Sequence, residues 1–380
     1  DAFPDELNRL QQMVTGIISR YEKHFAESPD DTFSREQMRA LHRYCDTLFE
    51  HFKNPEADRK DFSNALNELL QSGCRLMPIP PMEAYHAQEG KAPKNDFEFR
   101  ICMAKQASEE AGGDDPLSGF KENFIAQANS INGKESIVGL YPVDTLFPFG
   151  PNLSWATTAQ SVDGMVILDT AVSDKANKAA VERARAYQIT GVNVDDSLLE
   201  QLCEIDTQGH EIGHQLHFES TDADADGIAG DEVKAELASA VLFNNMLNSN
   251  KEISPEVKKN ILTHYLIAKI TAAQGYLLTK QDNLPYRDAG IALFNILKSV
   301  RAVTVSEDGT IILDTTKAED AVQELTKKGE ELLERYKDVL TAREGETEAI
   351  LAKAALANTY DTLLAGGDPG LLQRFQPKTN

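Results

Sequence analysis

The 380-residue chain carries 38 basic against 61 acidic residues, a formal net charge of −23. That balance argues against nucleic acid or an anionic membrane as a partner, and no apolar run approaches the ~18 residues of a membrane span, so membrane insertion is not expected. Hydrophobic content of 41% with 26% charged residues describes an ordinary globular protein, long enough for two or three lobes with sizeable cores.

No signal peptide is visible, and a start at Asp1 without methionine fits a processed or trimmed form. A cytoplasmic and an exported (periplasmic) location both stay open, as does the oligomeric state. Residues 5–28, 35–53 and 58–75 read as three amphipathic helices. Leu7, Leu10, Met13, Ile17 and Ile18 give the spacing, and Ser34 is a cap with Gln37 at the third position. The stretch Met77-Pro78-Ile79-Pro80-Pro81-Met82 ends helix formation and reads as a linker, closing an N-terminal helical lobe over 1–80. Cys45, Cys74, Cys102 and Cys203 are widely spaced with no C-x-x-C pair, so reduced, mostly buried thiols are expected.

Up to Asp115 the chain is polar and mixed, without a catalytic signature. Residues 117–135 then read as a helix. Extended segments follow at 136–141, 145–149 and 153–160, with Met165-Val166-Ile167-Leu168-Asp169 as a buried strand. Their β-branched and aromatic content suits a small mixed sheet. An edge strand of such a sheet can pair with an extended peptide backbone. A further helix is expected over 176–187.

The most informative stretch runs from Cys203 to Leu247. Gly209-His210-Glu211-Ile212-Gly213-His214 contains H-E-x-x-H, in an apolar rhythm bounded by Asp195-Asp196 as candidate N-caps. On a helix this motif places two imidazoles one turn apart, where they can bind one zinc with Glu211 as general base. A second helical run follows from Asp231 through Glu232 and Glu236 to Leu247, with seventeen residues between His214 and Glu232. Zinc held by His210, His214 and Glu232 keeps a fourth position open. Glu236, one turn beyond Glu232, is placed to accept the other N–H of a ligand histidine. His217 lies roughly 10 Å along a straight helix from His210 and reads as a cleft or surface residue. Between the two helices, Asp222-Ala223-Asp224-Ala225-Asp226-Gly227 opens like a calcium loop, but position twelve is Val233. Either a calcium clip other than an EF-hand, or a solvated Asp/Gly turn, fits Asp222, Asp224 and Asp226.

Beyond Leu247, helices are expected over 254–279, starting at Ser254-Pro255-Glu256, and over 286–300. A hairpin follows over 302–314 around Glu307-Asp308-Gly309, then helices over 317–341 and 345–365 and a turn-rich tail. No G-x-S-x-G elbow supports serine chemistry. The reading is an α+β, predominantly α-helical fold. It has a zincin-like catalytic region with a small mixed sheet over 81–250, and a C-terminal helical lobe over 251–380.

H-E-x-x-H followed on the next helix by E-x-x-A-E resembles the gluzincin metallopeptidases. More narrowly, Asp231-Glu232-Val233-Lys234-Ala235-Glu236 is similar to the E-E-C-R-A-E motif of the dipeptidyl-peptidase III family, whose second glutamate, Glu232 here, binds zinc. The order and length of 289–305, the hairpin with Asp308-Gly309, and the helix containing Glu331-Leu332-Leu333 extend the likeness over roughly residues 200–345. The family has the longer H-E-x-x-G-H, whereas this chain has the five-residue form. The family's transition-state histidine falls on Tyr286.

The resemblance implies peptide substrates and one catalytic zinc. The chemistry expected is metal-assisted hydrolysis, with Glu211 moving a proton to the leaving amine. Tyr286, Tyr265 and His264 are candidate oxyanion donors, and Arg287 could meet a peptide carboxylate. The alternative is a non-catalytic metal-binding or peptide-binding protein derived from a peptidase fold.

Overall fold

The computed structural model describes residues 35–53, 76–86, 94–104, 120–133, 139–149, 159–162, 165–186, 193–217, 225–250, 253–279, 284–307, 309–342 and 347–365, with scattered positions elsewhere. The expected helices over 5–28 and 58–75 and the tail 366–380 lie largely or wholly outside these. So do Asp222, Asp224 and the side chain of Asp226, on which the calcium expectation rests.

Contacts divide the chain into two compact units, the first formed by 1–84, 95–108 and 143–155, the second by 85–94, 109–142 and 156–380. In the first unit, helix α1 (Arg35–Lys53) buries Ala40, Leu41, Tyr44 and Cys45, one helical stripe, within a core that includes Leu69 and Cys74. Strands β1 (Leu76–His86), β2 (Lys94–Ala104) and β3 (Gly139–Phe149) lie side by side in that order.

Two expectations are corrected here. Met77–Met82 is part of a strand, not a linker. β1 stands at the end of the strand order, the place in a sheet where prolines are tolerated. The polar stretch after it contains β2, in which Phe97, Phe99, Ile101 and Met103 alternate with Glu98, Arg100 and Cys102. β2 runs antiparallel to β3 with Phe99 opposite Phe149 and Ile101 opposite Phe147, the register then stepping past Leu146. Segments expected separately at 136–141 and 145–149 are one continuous β3.

The second unit is mostly helical. Helix α2 (Phe120–Asn132) precedes an antiparallel hairpin, β4 (Ala159–Val162) and β5 (Met165–Asp169), and α3 (Thr170–Ala186) follows β5 without a loop. Then come α4 (Asp196–His214), α5 (Ala225–Ser249), α6 (Pro255–Thr279) and α7 (Leu284–Ser299). The hairpin β6 (Val303–Val305) and β7 (Ile311–Leu313), α8 (Ala318–Thr341) and α9 (Thr347–Leu364) complete it, close to the expected boundaries. Every residue from Val233 to Phe243 is buried, because α2, α4, α7 and α8 all pack on α5. A helix wrapped on all sides has no polar face to show, and its sequence carries no amphipathic stripe.

The fold is therefore predominantly α-helical with a small β component. Cys45, Cys74 and Cys203 are buried thiols outside any disulfide. Among the described residues no helix is long and apolar enough to cross a membrane.

Candidate metal centre

The motif helix α4 is fixed at both ends. At its start the Asp195 carboxylate accepts from the backbone N–H groups of Ser197 and Leu198. At its end the helix stops at His214. There Asn132 of α2 donates to the Gln215 carbonyl at 3.1 Å and accepts from the His217 N–H at 2.9 Å. His217 takes a left-handed φ of 51°, so it belongs to a turn and not to a continuing straight helix.

α4 lies directly on α5 because two of its residues have no side chain. A Cβ at Gly209 would stand 2.9 Å from Ser239 Oγ, and one at Gly213 would stand 2.8 Å from the Ala235 carbonyl oxygen. This close approach brings the two motif histidines onto the first buried turns of α5, where Asp231, Glu232 and Glu236 sit.

Three donor atoms converge there. His210 Nε2 and His214 Nε2 are 3.1 Å apart, and Glu232 Oε2 lies 3.3 Å from the first and 3.9 Å from the second. A tetrahedral ion with bonds of about 2.0–2.1 Å holds its ligands about 3.3–3.4 Å apart, which these separations bracket. Glu232 Oε2 is buried and makes no well-aligned hydrogen bond, an orphaned acceptor of the kind a cation would satisfy. Glu211 also brings a carboxylate oxygen within 4.8 Å of the two imidazoles. Glu232 approaches the two nitrogens from a second helix, whereas Glu211 lies on the same helix as both histidines.

Each histidine has its own carboxylate on the far side of the ring. His214 Nδ1 is 2.6 Å from Asp231 Oδ2, and His210 Nδ1 is 3.1 Å from Glu236 Oε1, a close contact short of ideal alignment. Burial disfavours a charged ring at His210, but Glu236 and Glu232 outweigh it and lift its pKa well above the usual value. The same contest, decided by Asp231 and then Glu232, raises the pKa of His214. Burial would raise the carboxyl groups of Asp231 and Glu236. Lys234 and His214 hold Asp231 well below the carboxylate range, and Lys269 and His210 do so for Glu236.

Tyr286 lies in the first turn of α7. Burial and then the charges of Glu232 and Glu211 push its pKa well above 10.0, so the hydroxyl keeps its proton. Its ring lies 5.2 Å from that of Tyr276, whose hydroxyl donates to Glu236 Oε1 at 2.6 Å. Arg287 is next along, half-exposed, 3.4 Å from the neighbouring Asp288.

Two candidates from the sequence are corrected. His264 accepts from the Asp195 N–H at 2.9 Å, at the opposite end of α4 and roughly 22 Å of helix from His210 at ~1.5 Å per residue. Tyr265 is fully buried, stacked on Phe243 and bonded to Asp206 at 3.2 Å. Both serve packing, away from the converging donors.

Sequence reasoning missed Tyr276, Asp206 and Lys269. Lys269 Nζ sits 2.6 Å from Glu236 and 2.7 Å from Asp206, with its side chain wholly buried. The available signal was a single charge set among Leu266, Ile267, Ala268 and Ile270, which demands buried partners.

No protein-family model and no curated protein matches the chain. Among solved structures, a dipeptidyl-peptidase III from Corallococcus sp. strain EGB is similar, with a TM-score of 0.55 and 13% sequence identity over 96% of this chain and 70% of that one. The likeness is one of fold.

Proposed function

We propose that this protein is a zinc-dependent hydrolase of peptide bonds, with His210, His214 and Glu232 as metal ligands and Glu211 as general base. The observation that carries the reading is the convergence of two imidazole nitrogens and an orphaned carboxylate oxygen within 3.1–3.9 Å. When bound, zinc supplies a Lewis acid that polarises the scissile carbonyl and makes water acidic enough to ionise near neutral pH.

The chain's own residues supply the rest. Glu211 takes the proton from water and returns it to the leaving amine, one carboxylate serving as base and then acid. Tyr286, held protonated beside Glu232 and Glu211, donates to the oxygen that becomes negative at the tetrahedral stage. β4 is the last strand in its sheet and its hairpin packs on α4, so its open edge is where an extended peptide backbone adds as a further strand. Arg287 offers a guanidinium fork, only loosely engaged by Asp288, to a peptide carboxylate. The likeness in fold to a dipeptidyl-peptidase III supports the finer reading of a dipeptidyl-peptidase III-like exopeptidase.

Turnover of a peptide library by wild type and by Glu211→Gln, each with its zinc content measured, tests the reading. Cleavage by wild type and its loss in a zinc-loaded Glu211→Gln supports it. Zinc binding with no turnover in either would instead favour a non-catalytic metal-binding or peptide-binding protein.

A further inference from the structure

We propose that Lys269 and Lys234 are positioning residues of the metal centre, one behind each histidine of the motif; the inference rests on the zinc-peptidase reading. Two chains of contacts lead away from the converging donors. One runs from His210 Nδ1 to Glu236 Oε1, and from Glu236 Oε2 to Lys269 Nζ at 2.6 Å. The other runs from His214 Nδ1 to Asp231 Oδ2, and from Asp231 Oδ1 to Lys234 Nζ at 2.6 Å.

In both chains the lysine takes one oxygen of the carboxylate and the histidine faces the other. An ammonium anchored to one oxygen restrains the rotation of the carboxylate, so the second oxygen faces the ring; at Glu236 that oxygen also accepts from the Tyr276 hydroxyl at 2.6 Å. An imidazole that gives its Nδ1 proton to such an oxygen presents the Nε2 lone pair, the form a metal ligand needs. Each ammonium is also tied to backbone. Lys269 donates to the Glu236 carbonyl at 2.8 Å, and Lys234 to the His214 carbonyl at 3.3 Å. The carboxylates are thereby referenced to the helices that carry the ligands.

The placement is hard to explain by stability alone. Both lysines are essentially unexposed, at 0% and 1% of their side chains. Buried ion pairs of this kind are commonly no more stabilising than apolar side chains of the same volume. Asp206 and Tyr265 complete the surroundings of Lys269, and the Tyr336 ring lies 4.8 Å from Lys234 Nζ. These contacts accommodate the charges without removing the link to the histidines.

Lys269→Met, Lys234→Met and Lys234→Arg in the full chain test the proposal. Four readouts apply: thermal unfolding, zinc affinity by chelator competition, the visible spectrum of the Co2+-loaded protein, and kcat and KM. The expected result is zinc affinity lowered about 10-fold or more in each Met variant, as for outer partners of metal ligands. It comes with an altered Co2+ spectrum and a fall in kcat at little-changed KM, while Lys234→Arg keeps most of the affinity. Zinc affinity within about twofold of wild type and an unaltered Co2+ spectrum would overturn it. If one Met variant does not fold, the other decides. If neither folds, the lysines serve the core and the proposal fails. A wild type that neither binds zinc nor turns over peptide sinks the peptidase reading itself, a separate outcome.

Discussion

Gly213 lets α4 rest on the backbone of Ala235, since a Cβ there would stand 2.8 Å from the Ala235 carbonyl oxygen. His214 is the next residue on one helix, and Glu232 and Glu236 flank Ala235 on the other. The spacing of the helices therefore sets the spacing of the donor atoms. Gly213→Ala gains ~1 kcal/mol of helix propensity but forces backbone against backbone, an overpacking that costs ~1–3 kcal/mol. The variant is expected to melt no higher than wild type and to bind zinc at least about 10-fold more weakly. Thermal unfolding with and without zinc measures both.

The Asp206–Lys269 contact joins α4 to α6 in a buried site. Asp206→Ala leaves a buried ammonium with one carboxylate fewer, a change expected to cost about 3–5 kcal/mol. Removing Lys328 from its half-exposed pair with Glu331 costs a few tenths of a kcal/mol at most, because water screens it. Urea unfolding of the two variants side by side reads the contrast.

Zinc binding competes with protons at His210 and His214, whose pKa values are raised against the cost of burial by neighbouring carboxylates. In the metal-free protein a raised pKa contributes stability that is complete below the unfolded value of about 6.5 and is lost as pH rises through the folded values. Metal requires the neutral rings. The zinc-induced rise in Tm is therefore expected to be small near pH 6 and to widen steadily with alkalinity. Calorimetric scans across this range check it, and a gain independent of pH contradicts it.

Tyr286 retains its proton beside Glu232 and Glu211. Tyr286→Phe is expected to lower kcat about 100-fold with zinc retained, the loss typical of one oxyanion donor. His264→Gln, at the far end of α4, leaves kcat unaltered. Steady-state kinetics on one cleaved peptide compares them.

Much of the site was legible because it is local. His210, Glu211 and His214 share one helical turn, and Glu232 and Glu236 share the next helix, so spacing alone aligned them. The helices of the C-terminal region followed from caps and turns. The strands β1 and β2 were hidden by prolines and by interleaved charges, although the alternation at Phe97, Phe99, Ile101 and Met103 was present. Choosing polar residues on α6 failed for a different reason. Tyr265 and Tyr276 are eleven residues apart, about 16 Å of helix at ~1.5 Å per residue. Only packing against α4 and α5 decides that the later one reaches Glu236 and the earlier one meets Asp206. Sequence spacing fixes a face of a helix, whereas its height against a neighbour comes from tertiary contact.

Metal content per chain, measured by elemental analysis after equilibration with zinc and removal of excess, tests the central claim most directly. Wild type and Glu211→Gln are expected to retain one zinc each, and His210→Ala and Glu232→Ala none. A wild type that emerges free of zinc, or a Glu232→Ala that holds as much as wild type, would contradict the account.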